Sequence, residues 1–433
     1  MDVKIQPCFL KGNVKAIPSK SQAHRALICA SLSDRQTFIE CEGASEDIEA
    51  TAACLCALGA DIIHKAQAEQ SPGGFIVNPL KQKSGETCVI LPCAESGSTF
   101  RFLLPLACAL GIKAHFLLEG RLPERPISPL YEELSRNGCN LSQKGSNPFC
   151  TGGKLKPGLF ALDAGVSSQF ISGLLFALPL LEADSELRLK GNIESFPYIE
   201  MTMAMIEKFN IKIDYKENIF YIKGNQKYMS PGNLSVEGDW SNAAFWLAAA
   251  SLGEDFITCE GLSLQSKQGD KSIIDILGKF GAKIEKTASS VTVSGGKLRG
   301  IEIDASDIPD LVPALAVVSC AAEGKTVIQN AERLRGKESD RLEAISSVLR
   351  AFGADIRVTQ DGLVIYGGKA LSGGVVSSWG DHRIAMSAAV ASVLCKKPVV
   401  IKDAQAVSKS YPGFFSDFNL LGGKTSQETR LVP

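Results

Sequence analysis

Residues 243–250 read Ala-Ala-Phe-Trp-Leu-Ala-Ala-Ala, apolar at every position. A helix with no polar face is a buried helix, and Asp239 and Ser241 just ahead of it are good N-caps. Gly253 ends that helix, and Phe256-Ile257-Thr258-Cys259 then reads as a strand. Residues 272–280 put Ile273, Ile276, Leu277 and Phe280 at helical spacing, which predicts an amphipathic surface helix closed by Gly281. Two short strands follow, at 283–285 and 290–293. The order is therefore buried helix, strand, surface helix, two strands. The same order is legible around the first, fifth and sixth of six polar clusters spaced about 71 residues apart, and blurrier around the second and third. The clusters are Pro18-Ser19-Lys20-Ser21, Ser96-Gly97-Ser98-Thr99, Ser167-Ser168-Gln169, and the segments opening at Asp239, Asp310 and Asp381. A second marker keeps the beat: a helical pattern closing at Gly59-Ala60, Gly138-Cys139, Asn210-Ile211, Gly281-Ala282, Gly353-Ala354 and Gly422-Gly423. Two independent markers on one period mean six copies of one unit.

Helices alternating with strands predict an α/β protein. Units this long do not suit a solenoid, so three plus three is expected, giving two similar domains around buried helices. Helices that start from equivalent polar clusters collect N-terminal dipoles and free N–H groups, which favour anions. Composition narrows the partners. Of 433 residues, 45% are hydrophobic and 21% charged, the usual balance of a soluble globular chain, and the formal net charge is -1. That charge argues against nucleic acid or a membrane recruited by bulk electrostatics. The thirteen cysteines are scattered without a Cys-x-x-Cys, which points to reduced thiols rather than a disulfide framework or zinc site. With no signal-peptide pattern at the start and no apolar run near ~20 residues, a cytoplasmic location is expected.

Four segments carry candidate chemistry, each with a plainer alternative. Leu334-Arg335-Gly336-Lys337-Glu338-Ser339-Asp340-Arg341 could be only a charged first turn capped by Ser339 or Asp340. Asp381-His382-Arg383 could be a capping aspartate with two solvent-facing neighbours. Val407-Ser408-Lys409-Ser410-Tyr411-Pro412 could be a plain loop, and Glu124-Arg125-Pro126-Ile127 an extended pre-proline stretch. Their equivalent places in a repeat weigh against all four plainer readings together.

With these residues in view, the chain resembles the 5-enolpyruvylshikimate-3-phosphate (EPSP) synthase family over nearly its whole length. The likeness rests on the clusters above with Arg25 and Arg101, on Glu124-Arg125-Pro126, Pro197-Tyr198-Ile199, Val236-Glu237-Gly238-Asp239 and Ile308-Pro309-Asp310, and on the last three charged segments. It implies an inside-out α/β barrel fold: two domains of three βαβαββ units around buried helices, residues 1–19 with 236–433 forming one and 20–235 the other, with the active site in the cleft between them. It implies transfer of the enolpyruvyl group of phosphoenolpyruvate to the 5-hydroxyl of shikimate 3-phosphate, with release of phosphate. No cofactor, metal, nucleic acid or membrane is implied, and a monomer is expected. The two substrates bring about five to six negative charges, since each phosphate monoester carries roughly -1.5 to -2. Lys20, Arg25, Arg125, Lys337, Arg341, Arg383 and Lys409 would balance them.

Carried over position by position, the resemblance assigns phosphoenolpyruvate to Lys20, Gly97, Arg125, Gln169, Arg341, Arg383 and Lys409. It assigns shikimate 3-phosphate to Lys20, Ser21, Arg25, Ser167, Ser168, Gln169, Ser195, Tyr198, Asp310 and Lys337. Asp310 would take the proton of the attacking hydroxyl, and Glu338 and Lys20 are the candidates to protonate the methylene carbon. A methyl group on Gly97 is expected to push into phosphoenolpyruvate and into glyphosate, the inhibitor that competes for that pocket in the family. Two positions depart from the pattern: Glu95, where many members have asparagine, and Arg333, where some do. Glu95 is expected to point away or pair with a cation. Two rival readings fit the sequence less well. The enzyme that transfers enolpyruvyl to UDP-N-acetylglucosamine starts with Lys-Asn rather than Lys20-Ser21 and carries a loop cysteine not matched near residues 112–125. A ring-shaped DNA clamp needs basic pore helices, whereas residues 170–181 carry no charge.

Overall fold

The computed structural model describes residues 1–68, 72–81 and 88–428. Its helices follow the repeat in pairs: Lys20–Leu32 (α1) and Glu46–Leu58 (α2), Gly97–Ala109 (α3) and Leu130–Arg136 (α4), Ser168–Ala177 (α5) and Phe196–Lys208 (α6). Trp240–Ser251 (α7) and Ile273–Phe280 (α8), Val312–Ala321 (α9) and Arg341–Ala351 (α10), and His382–Ala391 (α11) and Phe414–Leu420 (α12) complete the set. The first helix of every pair is the buried one; α5, α7 and α9 are apolar nearly all round, whereas α1, α3 and α11 bury charged or polar side chains such as Arg25, Arg101 and Arg383 in their first two turns. The run 170–181 is helical only to Ala177, after which Leu178–Leu180 tightens to a 3₁₀ turn. Pro179 explains the break, because it has no N–H to continue the ladder.

The second marker of the repeat has a backbone cause. At Gly59, Gly138, Gly281, Gly353 and Gly422 φ is +117, +97, +112, +93 and +93°, and at Asn210 it is +63°. A left-handed residue after the last turn ties off the final carbonyls, and glycine or asparagine accepts that conformation most easily. The chain stops each surface helix with the same stereochemical device.

Every helix pair belongs to a four-stranded sheet of one pattern. In the fifth, Glu302–Asp304 runs parallel to Gly324–Gln329 across α9, and Leu363–Gly367 lies antiparallel between Gly324–Gln329 and Asp355–Val358. That is βαβαββ, the fold class expected from the sequence. Three strands come from far along the chain. Gly12–Lys15 opens the fourth sheet beside Phe256–Glu260, and Asn233–Ser235 opens the first beside Thr37–Glu40. Asp2–Gln6 fills the sixth between Val399–Lys402 and Lys424–Glu428. The chain accordingly divides into a discontinuous unit, Met1–Ile17 with Glu237–Pro433, and a continuous unit, Pro18–Val236. Each has its own apolar core, centred on α7, α9 and α11 in one and on α1, α3 and α5 in the other. Each fully buried Leu, Ile or Phe there is worth about 1.5–3 kcal/mol. In the continuous unit Gly173 matters for contact: a Cβ there would run into the Arg101 carbonyl, so α3 and α5 pack backbone to backbone only with glycine. Among the described residues no helix is long and apolar enough to cross a membrane.

Candidate active site

In the continuous unit the polar clusters do cap the buried helices. Ser19 Oγ accepts from the Gln22 N–H at 3.4 Å, Ser96 Oγ from Thr99 at 3.3 Å, and Ser167 Oγ from Gln169 at 3.3 Å. Each such cap is worth about 1 kcal/mol. Arg25 is the hub of one group. Its Nε donates to Thr202 Oγ1 at 2.8 Å, Nη1 to the Ser21 carbonyl at 2.6 Å and Nη2 to the Tyr198 carbonyl at 2.9 Å. Ser195, in a left-handed conformation, precedes α6 and accepts from the Tyr198 N–H at 3.1 Å. Burial lowers the Arg25 pKa to about 10, which still leaves it charged at neutral pH. Ser21, Arg25, Ser195 and Tyr198 are thus assembled together.

A second group lies at the start of α3. Gln169 Nε2 donates to Ser98 Oγ at 2.9 Å, and Arg101 Nη1 donates to Gln169 Oε1 at 2.7 Å, so α3 and α5 begin side by side, α5 starting at Ser168. Gly97 sits under Arg125: a Cβ would lie 2.8 Å from Nη1 and 3.1 Å from Cζ. A methyl group there meets a guanidinium before any ligand, which changes the physical reason expected for its effect. Gly97 has no positive φ, so backbone strain is not what requires glycine. Glu95 packs toward Gly120, where a Cβ would be 2.5 Å from its carboxylate. Lys20 pairs with Asp47 at 2.8 Å, a partner that no motif named. Asp47 stands with Glu46 and Glu49 in the first turn of α2, where any of the three complements the helix dipole.

In the discontinuous unit, charged side chains form one tight cluster. Asp310 Oδ1 accepts from Arg341 Nη1 at 2.8 Å and its Oδ2 lies 3.1 Å from Arg383 Nη2, while its carbonyl accepts from Arg383 Nη1 at 3.1 Å. Arg341 also donates to Glu338 at 2.8 Å and to the fully buried Asp381 at 2.8 Å. Asp381 in turn caps α11 through the Arg383 N–H at 2.9 Å and accepts from Ser339 Oγ at 3.0 Å. Lys409 Nζ donates to the carbonyl of Gly380, one residue before that cap, at 2.6 Å. Burial alone would raise the Asp310 carboxyl, but Arg383, Lys337 and Arg341 outweigh it and hold it well below the usual carboxylate range. For Arg341 burial opposes the charge, and the three carboxylates more than restore it. Burial brings Lys337 down to about 8, with Asp310 pulling it back up and Arg341 pushing it further down.

Several plainer readings fail here. Asp310 lies inside a 3₁₀ turn, Pro309–Leu311, and the cap position of α9 falls on Leu311 instead. His382 and Arg383 are buried rather than solvent-facing. Residues 404–409 form a 3₁₀ helix, not a plain loop. Asp340 does cap α10, but Ser339, Glu338 and Arg341 turn into the cluster. Asp270 escaped the sequence reading altogether. Its buried carboxylate accepts from Ser241 Oγ in the first turn of α7, and burial, with the Asp310 charge nearby, raises its pKa to about 7. Its only sequence signal is an acid in Gln268-Gly269-Asp270, a segment that also receives the Trp240 N–H on Gln268 at 3.0 Å.

The profile of EPSP synthase (3-phosphoshikimate 1-carboxyvinyltransferase) matches residues 6–418. The chain belongs to the EPSP synthase family. The 3-phosphoshikimate 1-carboxyvinyltransferase of Clostridium kluyveri is 45% identical over 429 residues, covering 98% of each chain. That of Clostridium perfringens is 46% identical over 426 residues, covering 97% of this chain and 98% of its own. A solved EPSP synthase structure from Acinetobacter baumannii superposes with a TM-score of 0.80 over 98% of this chain and 100% of its own, at 24% identity, which speaks for the shared fold. Membership in the EPSP synthase family accounts for the repeat, the fold and the run of motifs at once.

Proposed function

We propose that this protein is a cytoplasmic 3-phosphoshikimate 1-carboxyvinyltransferase of the shikimate pathway, acting on phosphoenolpyruvate and shikimate 3-phosphate. The observation that carries the reading is the Asp310 cluster, a carboxylate clamped between two guanidiniums at the opening of α9 and α11. Anionic substrates would compete with Asp310 for Arg341 and Arg383. Drawing those cations away raises the proton affinity of Asp310 when substrate is bound, turning a poor base into a serviceable one.

In this reading the 5-hydroxyl of shikimate 3-phosphate adds to the central carbon of phosphoenolpyruvate. Asp310 takes the hydroxyl proton, while Glu338 or Lys20 delivers a proton to the methylene carbon. Loss of that methyl proton and cleavage of the C–O bond to phosphate then restore the double bond. Arg125, Gln169, Gly97 and Lys20 from the continuous unit, and Arg341, Arg383 and Lys409 from the discontinuous one, would hold phosphoenolpyruvate. Ser21, Arg25, Ser167, Ser168, Gln169, Ser195, Tyr198 and Lys337 would hold shikimate 3-phosphate. The test is phosphate release from phosphoenolpyruvate with and without shikimate 3-phosphate. Release that needs both supports the reading; release indifferent to shikimate 3-phosphate overturns it.

Lys337 supplies a pH prediction. With a pKa near 8 in the free protein, its ammonium is mostly charged at pH 7 and mostly neutral at pH 9. An anion needs the charged form, so affinity for shikimate 3-phosphate is expected to hold below pH 8 and weaken by up to about tenfold per pH unit above it. Dissociation constants from pH 7 to 9.5 measure this. Lys337→Arg, which stays charged, should flatten the profile; a flat wild-type profile would remove Lys337 from the anion's contacts.

A further inference from the structure

Four side chains that no motif joined form an unbroken buried chain at the start of three helices in the continuous unit. His24 Nδ1 lies 2.7 Å from Thr51 Oγ1, which lies 2.6 Å from Thr99 Oγ1, which donates to Ser96 Oγ at 2.7 Å. Each of the four is at most 1% exposed. Proton counting gives the chain a direction. Thr99 spends its only hydroxyl proton on Ser96, so it must accept from Thr51. Thr51, whose hydroxyl also lies 3.4 Å from the Asp47 carbonyl, then has no proton left for the imidazole, so His24 donates from Nδ1. Nε2 has no hydrogen-bond partner among the described residues, so a second ring proton there would go unbonded and the neutral ring is favoured. Burial, with Lys20 and Arg25 nearby, also disfavours the imidazolium.

Each end of this chain adjoins a group assigned to phosphoenolpyruvate: His24 shares α1 with Lys20, and Ser96 directly precedes Gly97. Lys20 and His24 are four residues apart on α1, and Asp47 and Thr51 are four apart on α2, so each pair shares a helix face. The α1–α2 contact is thus a ladder of two rungs, Lys20–Asp47 at 2.8 Å and His24–Thr51. From Thr51 the hydroxyls run on to Ser96, the cap of α3, and the next residue is Gly97, packed under Arg125. We infer that His24 and Thr51 are positioning residues that fix Lys20 and the Gly97–Arg125 start of α3 relative to each other for phosphoenolpyruvate. This rests on the function proposed above. Shikimate 3-phosphate shares Lys20 but would depend on it less, because Arg25 is anchored separately through Thr202, itself bonded to Ser172 at 2.7 Å.

Thr51→Val tests the inference, since it keeps the branched shape and removes the hydroxyl in the middle of the chain. The KM for phosphoenolpyruvate should rise about tenfold, the size of one lost hydrogen-bonded contact, with the KM for shikimate 3-phosphate within about twofold. Thr51→Ser should restore both. Thr37→Val is the control: it breaks an equally buried hydroxyl pair of the same unit, Thr37 with Ser230 at 2.7 Å, and should lower the melting temperature while sparing both KM values. His24→Phe removes the end donor, leaves the Thr51–Thr99 bond in place, and should give a smaller rise of the same sign. It serves also if Thr51→Val does not fold. Equal rises in both KM values, unchanged KM values, or no rescue by serine would overturn the inference while wild-type turnover upholds the function. Wild-type phosphate release that ignores one substrate would overturn the function and this inference with it.

Discussion

Asp310→Asn is expected to reduce turnover by about 10²–10⁴, the usual worth of a general base, while shikimate 3-phosphate binds within a few-fold of normal. Asparagine matches the shape but cannot take a proton. The change should also cost stability, because Asp310 is a counter-ion to Arg341 and Arg383 rather than a helix cap. Losing charge-assisted bonds of this kind costs about 1.5–3 kcal/mol. The sign with pH follows from a carboxyl whose folded pKa is depressed: its stabilisation is present above the unfolded value and is lost as pH falls. The gap in melting temperature between wild type and variant should therefore be widest near neutrality and begin to narrow only below about pH 4, where the unfolded carboxyl takes up its proton. Turnover within about tenfold of wild type would reduce Asp310 to a counter-ion.

The contrast among the three repeat aspartates shows where sequence reading stops. Asp239 and Asp381 do cap their helices, accepting from Asn242 at 2.8 Å and Arg383 at 2.9 Å. Asp310 keeps the same 71-residue step but follows Pro309, and the 3₁₀ turn there pushes the helix start on to Val312. Spacing locates the residue but carries no sign of its partners, Arg341 and Arg383. The elements of the fourth unit were legible because each is set locally. The strands at 283–285 and 290–293 appear as Lys283–Lys286 and Ser290–Ser294, and the helix at 272–280 as Ile273–Phe280. The pairing of Asp2–Gln6 with strands some four hundred residues later has no local signature, and only the family resemblance hinted at it. The same distinction divides the site. Residues beside a capped helix start, such as Lys20, Gln169 and Arg383, announce themselves by position. Asp47, Thr51 and Asp270 act through partners 27 to 48 residues away, on helix faces or in turns that look ordinary along the chain.

Arg341→Met should have the largest effect on stability of any single change in the cluster. One guanidinium, 2% exposed, serves Asp310, Glu338 and Asp381 at once. Methionine fills much of the volume but leaves three carboxylates without their shared counter-charge, and Asp381 is fully buried. Removing one partner from a buried ion pair costs about 3–5 kcal/mol, which for a domain of this size is a fall of about 10 °C in melting temperature. Protonation relieves stranded carboxylates, so the loss should be greatest at neutral pH and shrink as the medium is acidified. Arg341→Lys separates charge from geometry. An ammonium keeps the charge, but its three donors sit on one nitrogen and cannot reproduce the guanidinium fork that spans Asp310, Glu338 and Asp381, so lysine should recover part of the melting temperature. Activity should stay low in both variants, by about 10²-fold or more, because the oriented donors proposed to meet phosphoenolpyruvate are gone. A methionine variant that melts within two or three degrees of wild type, flagged by roughly 1 kcal/mol or less on the same scale, would show that Arg341 holds substrate without holding the cluster together.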